Sequence, residues 1–371
     1  MSTRPAYAAS RETVEKVTVR CFRIPTDSPE ADGTFAWNAT TLVVAEVAAG
    51  RAIGLGYTYA SPAAADVIQR ELTGVIRDQD PFDTERLYEA MMAAVRNLGS
   101  RGACANAISA IDCAVWDLKA KLVGLPLAAL LGAARHSVTI YGSGGFTSYD
   151  DDHLAGQLSD WVEMSGCRAV KMKIGSHPDQ DLRRVAVARE AIGEAELYVD
   201  ANGAFTSKQA MAFAVEFADF GVAWFEEPVS SDDLDGLRLV REHAPAGMEI
   251  AAGEYGYEPF YFRRMLESRA VDVMQADATR CGGVTGFLRA AALADAFAVP
   301  VSAHTAPSLH LPIACAAPRL RNIEWFHDHV RIEQMLFDGA PLPHAGAIAP
   351  DPQRPGFGLT LKEADARRYA I

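Results

Sequence analysis

Between Val138 and Phe326 the chain returns eight times to one pattern: a short apolar run, a polar closure, then a stretch with helical spacing. The runs read SVTIYGSGG, AVKMKIG, ELYVDANG, VAWFEEP, MEIAAGE, VDVMQAD, AVPVSAH and LRNIEWF. Apolar strands that alternate with helices belong to a parallel sheet with both faces covered. Eight such units predict a closed α/β barrel. An open doubly wound sheet is the alternative, but no G-x-G-x-x-G follows the first strand. The intervening helices carry their own punctuation. One ends at Gly193, and another is capped by Thr206 or Ser207 and stops before Gly221.

The residues before this region are organised differently. TTLVVAEVAAG alternates and ends in Gly50, as an antiparallel strand does before a turn. Ile108, Ile111, Val115, Leu118 and Leu122 then recur at helical spacing, which predicts a helix over about 103–122 that Gly124 and Pro126 stop.

What closes each run carries the chemistry. Tyr141 and Ser143 lie near the end of the first, Lys171 and Lys173 end the second, and Asp200 ends the third with Asn202 beyond it. Glu226 and Glu227 end the fourth, Glu254 the fifth, Asp277 the sixth, His304 the seventh and Glu324 the eighth. Taken singly these residues have ordinary explanations: a cap, a solvated turn, a packed histidine, a snorkelling lysine. Taken together they do not, because in a barrel the strand ends converge on one face, and buried charges need partners or metals.

Asp200, Glu226 and Glu254 on adjacent strands form a hard oxygen cage suited to Mg²⁺; zinc would want His or Cys. A lysine and a histidine on opposite sides of the mouth suit proton transfer at a carbon flanked on two faces. Lys171 beside Lys173 is expected to lower the Lys173 pKa so that it can act as a base. Asp277 is expected to hold the ring of His304.

The ordered set KMK, DAN, EEP, AAGE, ADATRCGGVTG, SAH and NIE resembles the enolase superfamily, within it the mandelate racemase-like subgroup, over nearly the whole chain. The resemblance implies a modified (β/α)7β TIM-type barrel, residues 137–340. It also implies an α+β cap built from residues 1–136, to which a tail, 341–371, returns. It implies one Mg²⁺ per subunit on Asp200, Glu226 and Glu254. Lys173 would be one base and the His304–Asp277 dyad the other. Lys171 would touch the substrate carboxylate, and Glu324 would hydrogen-bond an enolate oxygen. Asn202, Trp37 and Tyr57 are further expected substrate contacts, the last two from cap loops near Phe35–Trp37 and Tyr57–Tyr59. The sequence HDH, His327–His329, looks metal-binding but is read as a barrel-rim loop.

The reaction expected is α-proton abstraction from a hydroxycarboxylate, in first place dehydration of an acid sugar to a 2-keto-3-deoxy acid. A racemase or epimerase uses the same site. A cycloisomerase, a Schiff-base aldolase and a non-catalytic scaffold rank lower. The net charge of −13, with no basic run, argues against nucleic acid or an anionic membrane as partner. No apolar stretch reaches the ~20 residues of a membrane span, and the N-terminal residues lack the apolar core of a signal peptide. Six scattered cysteines without C-x-x-C read as thiols in a reducing compartment. A cytoplasmic homo-oligomer acting on a small carboxylate is therefore expected.

Overall fold

The computed structural model describes residues 12–371; residues 1–11, part of the expected cap, lie outside the described residues. Three antiparallel strands come first: β1 (Lys16–Ala31), β2 (Ala36–Ala49) and β3 (Ala52–Tyr59), in the order β1-β2-β3. The helix Ala103–Leu122 lies across this sheet, with the bounds its apolar spacing predicts. It approaches β3 closely because Gly54 and Gly56 have no side chain there. A Cβ at Gly54 would meet the Ala114 carbonyl oxygen at 2.0 Å, and one at Gly56 the Ala110 oxygen at 2.1 Å.

The barrel follows: β4 (Val138–Gly144), β5 (Ala169–Lys173), β6 (Glu196–Asp200), β7 (Val222–Glu226), β8 (Glu249–Ala252), β9 (Val273–Ala276), β10 (Val301–Ala303) and β11 (Leu320–Phe326). Neighbours in sequence are neighbours in the sheet, all parallel, and β11 pairs back to β4 to close the ring. A helix connects each successive pair of strands, and a further helix, His327–Leu336, follows β11. The HDH segment is therefore the first turn of a helix rather than a rim loop. Asp328, Ile332 and Leu336 are buried at four-residue spacing, so packing against the barrel winds this segment. Thr206 caps the helix Ser207–Ala218 in a reciprocal box with Gln209.

Strand alternation sorts the side chains. Val170 and Met172 of β5, with Ile174 just beyond it, join the large core beneath the helices. Lys171 and Lys173 point into the barrel, both buried. Below them an inner layer of Tyr141, Ala169, Tyr198, Trp224, Ala251 and Val273 plugs the barrel, with Tyr198 and Trp224 stacked at 5.0 Å. Burying each such aromatic stabilises the fold by about 2–3 kcal/mol.

The C-terminal segment ties both parts together. β12 (Phe337–Asp338) pairs with β14 (Thr360–Leu361), and β13 (Ala347–Ile348) pairs antiparallel with β4. The Ile371 amide donates to the Cys21 carbonyl of β1 at 3.1 Å. Among the described residues, no helix is long and apolar enough to cross a membrane.

Candidate active site

Parallel register sets the site. Lys173 of β5 pairs with Asp200 of β6, and Asp200 with Glu226 of β7. Glu254 lies two residues past the end of β8. Three carboxylates are thereby gathered, one oxygen from each within 4.8 Å of the others, all buried. The lysines lie against them. Lys171 Nζ donates to Glu226, lies 2.8 Å from Glu324 Oε1 and 3.5 Å from Asp200 Oδ2, and sits 5.5 Å above the Tyr141 ring. Lys173 Nζ donates to Asp200.

The opposite wall carries the histidine. His304 follows β10, and its Nδ1 lies 2.8 Å from Asp277 Oδ2. Its Nε2 faces Glu254 Oε2 at 3.3 Å and Glu324 Oε2 at 3.7 Å. Thr305 and Ala306, next in the chain, hold positive φ of 52° and 38°, as do Asn202 at 46° and Glu227 at 36°. Strained backbone of this kind gathers where a constellation is held in place.

Burial opposes every charge here, so the shifts report which partners win. Burial resists the His304 imidazolium, but Glu254, Glu324 and Asp277 outweigh it and raise its pKa to about 10. Burial also works against the Asp277 carboxylate, yet the bonded His304 holds its pKa well below the usual range. Glu226 is pushed up, first by burial and then by Asp200. One expectation needs correcting. Lys171 does press the Lys173 pKa down, and burial adds to it, but the Asp200 carboxylate outweighs both and Lys173 stays above the ordinary ammonium value. Glu324, expected to hydrogen-bond an enolate oxygen, accepts from Ser143 Oγ at 2.6 Å and the Thr305 amide at 3.1 Å and lies 2.8 Å from Lys171 Nζ. Against burial, Lys171 and His304 keep it ionised.

Lys173, Asn202, Glu254, His304 and Glu324 line a cavity of about 530 Å³ that the cap covers, Trp37 among its lining residues. Asn202 Oδ1 is buried there without a hydrogen-bond partner. Tyr57 does not reach the cavity. It is 1% exposed, gives its hydroxyl to Glu333 Oε1 at 2.6 Å and stacks on Phe337 at 5.0 Å. Tyr59, two residues on at the end of β3, lines the cavity instead. Sequence reading missed Asp32, Tyr255, Arg280 and His329, which also line it. Arg280 had a signal, three residues after Asp277; its Nη1 reaches Glu254 Oε1 at 3.2 Å and its Nε lies 3.4 Å from Asp277 Oδ2.

The three clustered carboxylates fit Mg²⁺. They are hard oxygen donors that repel one another without a cation, and Glu254 Oε2 has the His304 ring nitrogen 3.3 Å away but no well-formed hydrogen bond.

The mandelate racemase / muconate lactonizing enzyme N-terminal domain matches residues 15–132, and the enolase C-terminal domain-like model matches residues 153–365. The chain belongs to the mandelate racemase/muconate lactonizing enzyme family of the enolase superfamily. It is 32% identical over 306 residues to the D-galactarolactone cycloisomerase of Agrobacterium fabrum, covering 78% of this chain and 80% of that protein. It is 33% identical over 325 residues to the L-talarate/galactarate dehydratase of Salmonella typhimurium, covering 85% of this chain and 79% of that one. A solved mandelate racemase/muconate lactonizing enzyme-like protein from Rubrobacter xylanophilus superposes with a TM-score of 0.95 at 46% identity, over 97% of this chain and 100% of that chain. Similar dehydratase structures, 29% and 30% identical, were solved with Mg and L-glucarate. Homologues thus include acid-sugar dehydratases, and racemase and cycloisomerase relatives also occur.

Proposed function

We propose that this chain removes the α-proton of a hydroxycarboxylate and that the overall reaction is dehydration of an acid sugar to a 2-keto-3-deoxy acid. One observation carries the reading. Lys173 from the second barrel strand and His304 from beyond the seventh line one cavity, beside three clustered carboxylates. Held by Asp200, Glu226 and Glu254, one Mg²⁺ per subunit would supply positive charge for a substrate carboxylate whose α-carbon is losing its proton. With Asp200 committed to the cation, the carboxylate that otherwise holds Lys173 as an ammonium would be neutralised, and the neutral amine takes that proton. His304, oriented by Asp277, gives a proton to the departing β-hydroxyl. Lys171, anchored by Glu324, adds a fixed ammonium beside the substrate carboxylate. The two bases exchange roles for a substrate of the opposite α-configuration.

The same pair of bases supports racemisation or epimerisation, because both groups line the cavity that would hold the α-carbon. A screen of acid sugars with Mg²⁺ in D₂O, followed by NMR, separates the two. Keto-acid formation supports the lyase. α-Deuterium exchange into both epimers without keto acid supports the racemase, and no exchange with any hydroxy acid overturns both. The reading includes a homo-oligomer in the cytoplasm. The six free cysteines are in keeping with a reducing compartment, and light scattering reads the assembly.

A further inference from the structure

We propose that the substrate carries a single carboxylate and ends in a neutral polyol, and that the cap wall of the cavity rejects diacids; this rests on the reading of the site given above. The cavity has two unlike walls. The barrel wall supplies Lys173, Arg280 and His304, and each already faces a carboxylate: Asp200, Glu254 and Asp277 respectively. A sugar acid that presents its carboxylate and α-carbon to this wall turns its other end toward the cap.

Among the described residues the cap wall bears one charged side chain, and it is an acid, Asp32. Asp32 Oδ1 accepts the Thr34 amide at 2.6 Å and the Phe35 amide at 2.7 Å, which fixes the turn. No hydrogen bond among the described residues engages Oδ2, which remains an acceptor for substrate hydroxyls. Thr40 gives its proton to Asp328, so its oxygen can accept, and Thr41 and Ser61 add two more hydroxyls. His329 Nδ1 accepts the Ala306 amide at 3.3 Å, so the ring is neutral and offers an Nε2–H. Phe35 and Trp37, stacked at 6.2 Å, offer apolar faces to a carbon chain.

These groups match a chain of hydroxyls, each able to give and accept. They do not match a second carboxylate. That group would lie beside Asp32, with the Asp328 carboxylate behind Thr40. A charge held against like charges is disfavoured. A cation behind this wall, Arg331, is committed to Asp328 and the Pro25 carbonyl.

The test uses matched pairs of sugar acids that differ only at the terminal carbon, CH₂OH against carboxylate, across the stereoisomers of four to six carbons. Saturating Mg²⁺ is present, and NMR in D₂O reads exchange and keto-acid formation. The best monoacid should exceed its diacid in kcat/KM by about 100-fold or more. Asp32→Asn, which keeps Oδ1 for the turn, should shrink that ratio at least about tenfold. Thr41→Lys, which leaves the turn untouched, should shrink it further by helping the diacid. A diacid turned over as well as or better than its monoacid overturns this proposal and leaves the site reading standing. A ratio unchanged in both variants overturns the assignment to the cap wall. Exchange with no member of any pair overturns the site reading and this proposal with it.

Discussion

His304 Nδ1 lies 2.8 Å from Asp277 Oδ2, and the other oxygen of Asp277 is held by the Thr279 amide at 2.7 Å. The imidazole is thus clamped at one nitrogen while the other faces the carboxylate cluster. Lys173, on the facing wall, is fastened to Asp200. For a dehydratase with Lys173 as base, Lys173→Ala and His304→Asn should each lower net turnover by roughly 10²–10⁴-fold. They should part in D₂O: His304→Asn should still exchange the α-proton, and Lys173→Ala should not. Should each variant instead exchange the proton of one epimer only, without keto acid, the racemase reading stands.

Crowding among Asp200, Glu226 and Glu254 predicts that chelation abolishes activity and that Mg²⁺ restores it. Because the cation binds the folded chain, it should also raise the melting temperature with concentration. Asp200→Asn should lose most of that thermal response. A shift as large in the variant as in the parent would place the cation elsewhere.

Gly33 rests on the barrel mouth. A Cβ there would meet the Ala201 carbonyl oxygen at 2.2 Å and the Ile174 oxygen at 2.7 Å, both backbone atoms that cannot swing aside. Gly33→Ala should therefore lift the Asp32–Phe35 turn, raise KM on the order of tenfold and change the melting temperature little. Steady-state kinetics beside a thermal melt check this, and an unchanged KM would remove the turn from the site.

Glu30 is buried, with the Trp37 indole donating to its Oε2 at 2.7 Å. Burial first, then Asp328, raises its pKa from 4.5 to about 8. The folded chain thus keeps a proton that the unfolded chain has released, so this group favours folding less as pH rises from about 5 to 8. Glu30→Gln should flatten stability across that window and make the variant relatively more stable at pH 9. Denaturant melts at pH 5, 7 and 9 measure it; parallel curves for parent and variant would show Glu30 ionised throughout.

Much of the fold was legible because it rests on local pattern. The helix Ala103–Leu122, the Thr206 cap and the eight apolar runs all appear where spacing and punctuation put them. The gathering of Asp200, Glu226 and Lys173 followed from assuming a closed ring, since parallel register then aligns the strand ends. What stayed hidden depends on distant segments. Tyr57 and Tyr59 share a face of β3, yet Glu333 and Phe337 cover one and leave the other at the cavity. Likewise the Lys173 pKa depended on a partner across the sheet, Asp200, and not only on its neighbour at Lys171.

The cap is sewn to the barrel through the segment that follows β9, at the mouth itself. Asp112 takes the Thr285 amide at 2.9 Å and its hydroxyl at 2.7 Å, Ser109 takes the Gly282 amide at 2.8 Å, and Thr58 reaches the Thr279 carbonyl at 2.7 Å. A cap riveted in this way does not swing like a door. What the cap adds to the cavity lining is the short hairpin tip at Asp32–Phe35 and its neighbours on the strands. Ancestral change could therefore rewrite that tip, residue by residue, and give the lineage a new diet without disturbing the ring that does the proton chemistry.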